Sequence, residues 1–132
     1  MININFTKKS SELVSFRVNG HAEYYDRQEK VTVYDDVVCG CVSNLAQVTI
    51  LGLVEVLKLN ATYVADEGDI QLDISNLLHS EIESAQVLLE TMLLGLQNLE
   101  ISYGKYLKVL VEEVQWYVTN KPSVMCSQKG SR

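Results

Sequence analysis

Apolar and polar positions alternate at the start of the chain: Ile2, Ile4 and Phe6 against Asn3, Asn5 and Thr7, the period of a strand buried on one face. Lys8-Lys9-Ser10-Ser11 reads as a turn, and Val14, Phe16 and Val18 restart the alternation over 12–20, so the two runs predict a hairpin. Residues 23–35 are hydrophilic and aromatic and read as a loop, with Val31-Thr32-Val33 its one strand-like stretch. From Asp36 to about Leu59 the period changes: Val42, Leu45, Ala46, Thr49, Leu53, Val56 and Leu57 recur three and four apart, which predicts a helix with Asp36 as its N-cap. Two short strands over 61–65 and 69–74 flank the turn Asp66-Glu67-Gly68. A second helix is predicted over 79–99, with Ser80 and Glu83 as a capping box and Ile82, Ala85, Leu88, Leu89, Met92, Leu96 and Leu99 as its apolar stripe. A last strand runs over 105–114.

The order β-β-α-β-β-α-β predicts an α+β fold, a mixed sheet with both long helices packed on one face. Strand order is not readable from the pattern. Gly52 and Gly95 fall inside the predicted helices, where each costs about 1 kcal/mol relative to alanine, so they are expected to let the helices approach closely. Tyr106, Leu110 and Trp116 point to an apolar surface on the opposite side, suited to a homodimer.

A chain of 132 residues with 47% apolar composition is one domain with a real core, expected over 1–118, followed by a frayed polar tail over 119–132. The net charge of −6 and the scattered Lys and Arg residues argue against nucleic acid and suit a basic protein partner. No apolar run approaches the roughly 18 residues that span a bilayer, and the N-terminus lacks the shape of a signal peptide, so no membrane partner and a cytoplasmic location are expected. The three cysteines make no disulfide framework. Cys39 and Cys41 with one nearby histidine are too few ligands for a structural zinc site, so no metal and no cofactor are expected.

The candidate chemistry lies in Gly20-His21-Ala22 and Asp36-Val37-Val38-Cys39-Gly40-Cys41-Val42-Ser43. Counted from an N-cap at Asp36, Cys39 is the third helical residue. There the macrodipole and unsatisfied N–H groups favour a thiolate. His21, at the end of a strand, is a candidate to accept the thiol proton. That pair is the minimum for a cysteine nucleophile. The first-turn N–H groups near Cys39 and Gly40 are candidates for an oxyanion hole. Ser43, four residues on, shares the face of Cys39, and Asp36 is either an orienting group for His21 or only a cap. Taken singly, each has a plainer reading: Cys39 a buried small residue, His21 a strand-end residue, Ser43 a hydroxyl bonded to its own helix. His79, at the start of the second helix, reads as a surface residue.

Taken together, the two segments resemble the ribosomal-processing cysteine protease family, Prp, whose members carry a G-H-A segment and a D-I-V-C-A-A-V-S type segment. The likeness continues through Asn44-Leu45-Ala46-Gln47-Val48-Thr49 and the run at 52–57, and covers nearly the whole domain. It implies an enzyme that removes a short N-terminal extension from a large-subunit ribosomal protein precursor, cleaving after aromatic residues. It implies Cys39 as nucleophile, His21 as general base, and a homodimer. The stretch between His21 and Cys39 is longer than in typical members, and Gly40-Cys41 replaces the usual small-residue pair. The alternative is a non-catalytic dimeric module that binds a ribosomal or other basic protein.

Overall fold

The computed structural model describes residues 1–20 and 33–114, with side chains from 37 onward in the second stretch. The elements are β1 (Ile2–Lys9), β2 (Glu12–Asn19), α1 (Val33–Leu51), a π-helical turn (Gly52–Val56), β3 (Thr62–Asp66), β4 (Asp69–Asp73), α2 (His79–Tyr103) and β5 (Leu107–Val114). The five strands form one sheet in the order β3-β4-β2-β1-β5, with β1 and β5 parallel and the other pairs antiparallel. The fold is therefore the mixed-sheet α+β arrangement that the pattern predicts.

Register explains why one face is apolar. Ile4 pairs with Val18 and Phe6 with Phe16, and Phe16 and Val18 pair in turn with Leu72 and Ile70. These side chains share one face and all are buried, together with Val38, Val42, Ala46, Ile50 and Leu53 from the first helix and Ile82, Ala85, Leu89, Met92 and Leu96 from the second. Asn3, Asn5 and Arg17, one position out of phase, lie exposed on the other face. Leu13 and Val14 are both buried because the register slips between Thr7 and Lys8. The slip leaves Val14 as the extra residue while Leu13 stays opposite Lys8, and the Gln86 side chain of α2 serves the Leu13 backbone: Leu13 N–H donates to Oε1 and Nε2 donates to Leu13 O, both at 2.8 Å.

The β1–β2 turn is made by Ser10 and Ser11, both at positive φ (53° and 68°), the mirror-image geometry that matches strand twist. Gly52 meets the expectation of close approach, since a Cβ there would sit 2.8 Å from Leu88 Cδ1 of α2. Gly95 does not, because a methyl at that position would lie in ordinary contact with Leu45, at 3.8 Å. Beyond Gly52 the helix widens to a π turn, with Leu57 N–H donating to Gly52 O, and it stops where Lys58 takes φ 59° and Leu59 N–H turns back to Leu53 O.

Four expectations are corrected. The first helix begins at Val33, so Asp36 is its fourth residue and not its N-cap. Valine and tyrosine are weak helix formers by only a few tenths of a kcal/mol, and a nucleated helix extends over them cheaply. The second helix begins at His79, and the reciprocal bond comes from Glu81 Oε1, which accepts the Leu78 N–H, so Ser80 and Glu83 form no capping box. Tyr106 is half-buried against the core, leaving Leu110 exposed, while Trp116 and the tail 119–132 lie outside the described residues. Finally, Val37–Val56, with mean hydropathy 1.9, is long and apolar enough by those measures to cross a membrane. Its buried side chains pack on the sheet and α2.

Candidate active site

The strand order decides what surrounds Cys39. The helix α1 lies over the β4 side of the sheet, so its inward-facing side chains look toward the β3–β4 hairpin and the end of β2. A groove of about 430 Å³ opens there. One wall is α1, through Cys39, Val42, Ser43 and Gln47. The floor is Ile2 of β1, Val18 at the end of β2, and Ile70 of β4. The opposite wall is the hairpin from Ala65 through Asp69, and Gly20, after the end of β2, also lines the groove.

Cys39, Ser43 and Gln47 stand at i, i+4 and i+8, so a single helical stripe supplies the polar groups of the first wall. Gln47 Nε2 donates to Ser43 Oγ at 2.9 Å, which fixes the hydroxyl one turn from the thiol. Cys39 is half-buried and Cys41 exposed, and both are thiols. Rotation by two residues, about 200°, explains why Cys39 and not Cys41 reaches the groove.

Gly20 is required where it stands. Its φ is 99°, a Cβ would lie 2.5 Å from the Met1 carbonyl oxygen, and its N–H donates to Gly68 O at 3.2 Å. The bond ties the end of β2 to the hairpin tip. It also fixes where the chain leaves β2, one residue before His21. His21 itself lies outside the described residues, as does the Asp36 side chain.

The hairpin wall is acidic: Asp66, Glu67 and Asp69 line it, and no lysine or arginine is among the described lining residues. The Asp69 charge is held in place by Arg17, whose Nε donates to Oδ1 at 3.1 Å. That hydrogen bond, with a smaller contribution from Gln71, keeps the Asp69 carboxyl below the ordinary carboxylate value.

The longer helix changes the electrostatic argument. Cys39 is the seventh helical residue, beyond the first turn in which unsatisfied N–H groups and the macrodipole act. The Gly40 N–H lies deeper still, where a helical donor is engaged by the carbonyl four residues back, so a first-turn oxyanion hole is not what this helix offers. Of the candidate residues, Cys39, Gly40 and Ser43 are described, and Cys39 and Ser43 share the groove. Gln47 and the hairpin wall were missed. The i, i+8 spacing to Cys39 was the available signal for Gln47, whereas nothing local marks the hairpin, which strand order alone brings to the thiol. Away from the groove, His79 is exposed as expected, between Glu12 (Nδ1 to Oε1, 3.6 Å) and Glu83 (Nε2 to Oε2, 3.7 Å).

Among the described residues, one thiol lines this acidic groove and no lysine or arginine does, a layout compatible with a cysteine nucleophile. The family model for the cysteine protease Prp matches residues 1–108, and the chain belongs to that family of cysteine proteases. Among solved structures, it is similar to SMU.848 from Streptococcus mutans (25% identity, TM-score 0.73, covering 86% of this chain and 99% of that one). It is also similar to the ribosomal processing protease Prp from S. aureus, solved with a covalently linked product peptide (19% identity, TM-score 0.66) and with a substrate peptide (18%, 0.68). Each S. aureus comparison covers 84% of this chain and 99% of the other, and shows the shared fold. A comparison with curated proteins gave no match.

Proposed function

We propose that this protease removes a short N-terminal extension from a large-subunit ribosomal protein precursor, cleaving after aromatic residues, with Cys39 as nucleophile and His21 as general base. The observation that carries the reading is the placement of Cys39, and not Cys41, in the groove between α1 and the β3–β4 hairpin. Cys39 stands beyond the reach of the helix terminus, so a base is needed to form the thiolate, and His21 follows directly on Gly20, which lines the groove. The thiolate adds to the scissile carbonyl. The tetrahedral intermediate collapses to a thioester as the proton taken by His21 passes to the leaving amine, and water then hydrolyses the thioester to release the acid and the thiol. In this reading the Ser43 hydroxyl, one turn along, donates to the developing oxyanion. The basic flank of a ribosomal protein complements the acidic wall.

The test is intact-mass spectrometry of the extended precursor after incubation with wild type, Cys39→Ala, Cys41→Ala and His21→Ala. Loss of the extension with wild type and Cys41→Ala alone supports the reading. Equal inactivity of Cys41→Ala and Cys39→Ala overturns the assignment of the nucleophile. If no variant cleaves while all are folded and reduced, the protein acts on another substrate. Sedimentation velocity on the same samples reads the expected homodimer.

A further inference from the structure

The strand β3 is the edge of the sheet, and all five of its residues are exposed. Its hydrogen-bonding direction follows from its neighbours. Ile74 N–H donates to Val14 O at 2.8 Å, so even-numbered residues in this part of the sheet's β4 side bond toward β2. The odd residues Asp69, Gln71 and Asp73 therefore bond toward β3, where their partners are Asp66, Val64 and Thr62. That leaves the N–H and C=O groups of Tyr63 and Ala65 pointing away from the sheet, along an edge unpaired among the described residues. Register with Leu72 and Ile70 puts the Tyr63 and Ala65 side chains on the helix-covered face, the same side as Cys39, and Ala65 lines the groove.

We propose that the substrate binds as an added strand on this edge: an extended peptide pairs with the outward backbone groups of Tyr63 and Ala65, which delivers its next residues into the groove at Cys39. The inference rests on the protease reading above and names how that site holds its substrate. Three observations select an extended peptide as the occupant. The edge, unpaired among the described residues, offers donors and acceptors two residues apart, the repeat of a strand. The edge is continuous with the groove that holds the thiol, through Ala65 and Asp66. The carboxylates of Asp66 and Glu67 at its end suit a neutral or basic segment and repel an acidic one.

The edge geometry supplies its own test. Proline at an edge position whose N–H faces solvent removes a donor without breaking a ladder bond, and Val64, the preceding residue, is already extended. In a Cys39→Ala background, which binds without turnover, a fluorescent peptide spanning the precursor's processing site is titrated against A65P and A65V. The proposal expects A65P to bind at least tenfold more weakly than A65V (similar bulk, N–H retained), and both to unfold near the parent temperature. Should A65P fold poorly, amide hydrogen exchange on the Cys39→Ala protein decides: bound peptide should slow Tyr63 and Ala65 at least tenfold, with little change at Val64 and Asp66, whose N–H groups are already in the ladder. Equal affinity of folded A65P and A65V, or no slowing at Tyr63 and Ala65 when peptide is bound, overturns the inference while leaving Cys39-dependent cleavage intact. Absence of both cleavage by wild type and binding by Cys39→Ala overturns the protease reading for this substrate, and the edge-strand inference with it.

Discussion

Replacing Gly20 by alanine tests whether the end of β2 is built as described, because three separate penalties meet at one methyl group. A φ of 99° is a conformation that side-chain-bearing residues rarely adopt, and strain of this kind costs about 1–3 kcal/mol. The new Cβ would stand 2.5 Å from the Met1 carbonyl oxygen, closer than real Cβ atoms approach, so the first residues of β1 must shift. That shift loosens the adjoining bond from Ile2 N–H to Tyr106 O, 2.8 Å long, worth about 1 kcal/mol. Against this, alanine narrows the unfolded ensemble and returns about 0.4–1 kcal/mol. The net expectation is a loss of about 2–3 kcal/mol, which at a urea slope of about 1.5 kcal/mol/M lowers the unfolding midpoint by about 1.5–2 M. Gly40→Ala is the matched control. It replaces a helical glycine whose methyl would meet none of the described residues within 4 Å, and should gain about 0.5–1 kcal/mol. Urea unfolding followed by far-UV circular dichroism reads both. A Gly20→Ala midpoint equal to or above wild type would refute the strained turn. Proteolysis assayed in buffer, where the variant is still folded, should also fall, since Gly20 sets the exit of the chain toward His21.

Gln86→Ala should destabilise by about 2–3 kcal/mol, read by the same unfolding curves, because it strands the Leu13 N–H and C=O beside the bulge. The two mid-helix glycines should respond with opposite signs. Gly95→Ala gains about 1 kcal/mol because its methyl has room, and Gly52→Ala loses about 1 kcal/mol because Leu88 must give way, so thermal midpoints rise and fall respectively. Arg17→Ala should raise the Asp69 carboxyl toward its ordinary value, followed by NMR titration. Since the folded-state value is depressed, the ion pair favours the fold above the unfolded carboxylate value and that contribution is lost as pH falls through the lowered one.

The parts of this fold that were legible in the sequence are those set by local periodicity. Ile2, Ile4 and Phe6 had to share a face because their spacing is the strand period, and the α2 stripe from Ile82 to Leu96 had to face the sheet because its spacing is helical. The first helix start was misread because Val33 and Tyr34 are weak local formers whose state is set by the helix that follows them. The groove was half legible. Cys39 and Ser43 could be assigned to one face from i, i+4 spacing alone, and Gly20 could be singled out, though not for its positive φ. The acidic wall was not, since Asp66 and Glu67 look like any polar turn until the order β3-β4-β2 places that turn opposite α1. Strand order depends on contacts between residues far apart in the chain, which no local pattern encodes.

An exposed edge is a hazard for a soluble sheet, and its treatment here bears on what it is for. Proteins protect such edges by shortness, charge, bulges or proline, because unpaired N–H and C=O groups recruit other strands. The strand β3 has two of these protections: it is five residues long, and it ends in Asp66 followed by Glu67. It lacks the others in its middle, where Tyr63 and Val64 are exposed and neither a charge nor a proline interrupts Tyr63-Val64-Ala65. The unprotected stretch is also the one whose outward backbone groups lead to the thiol groove. A negatively charged end discourages a second copy of this acidic chain from pairing there, while leaving the edge open to a neutral or basic peptide. Lysine in place of both Asp66 and Glu67 separates those effects. If the carboxylates select the partner, the double substitution should weaken binding of a basic peptide and lessen its dependence on salt, with unfolding little changed because both side chains are exposed. Unchanged affinity at low ionic strength would show that backbone pairing acts without help from charge.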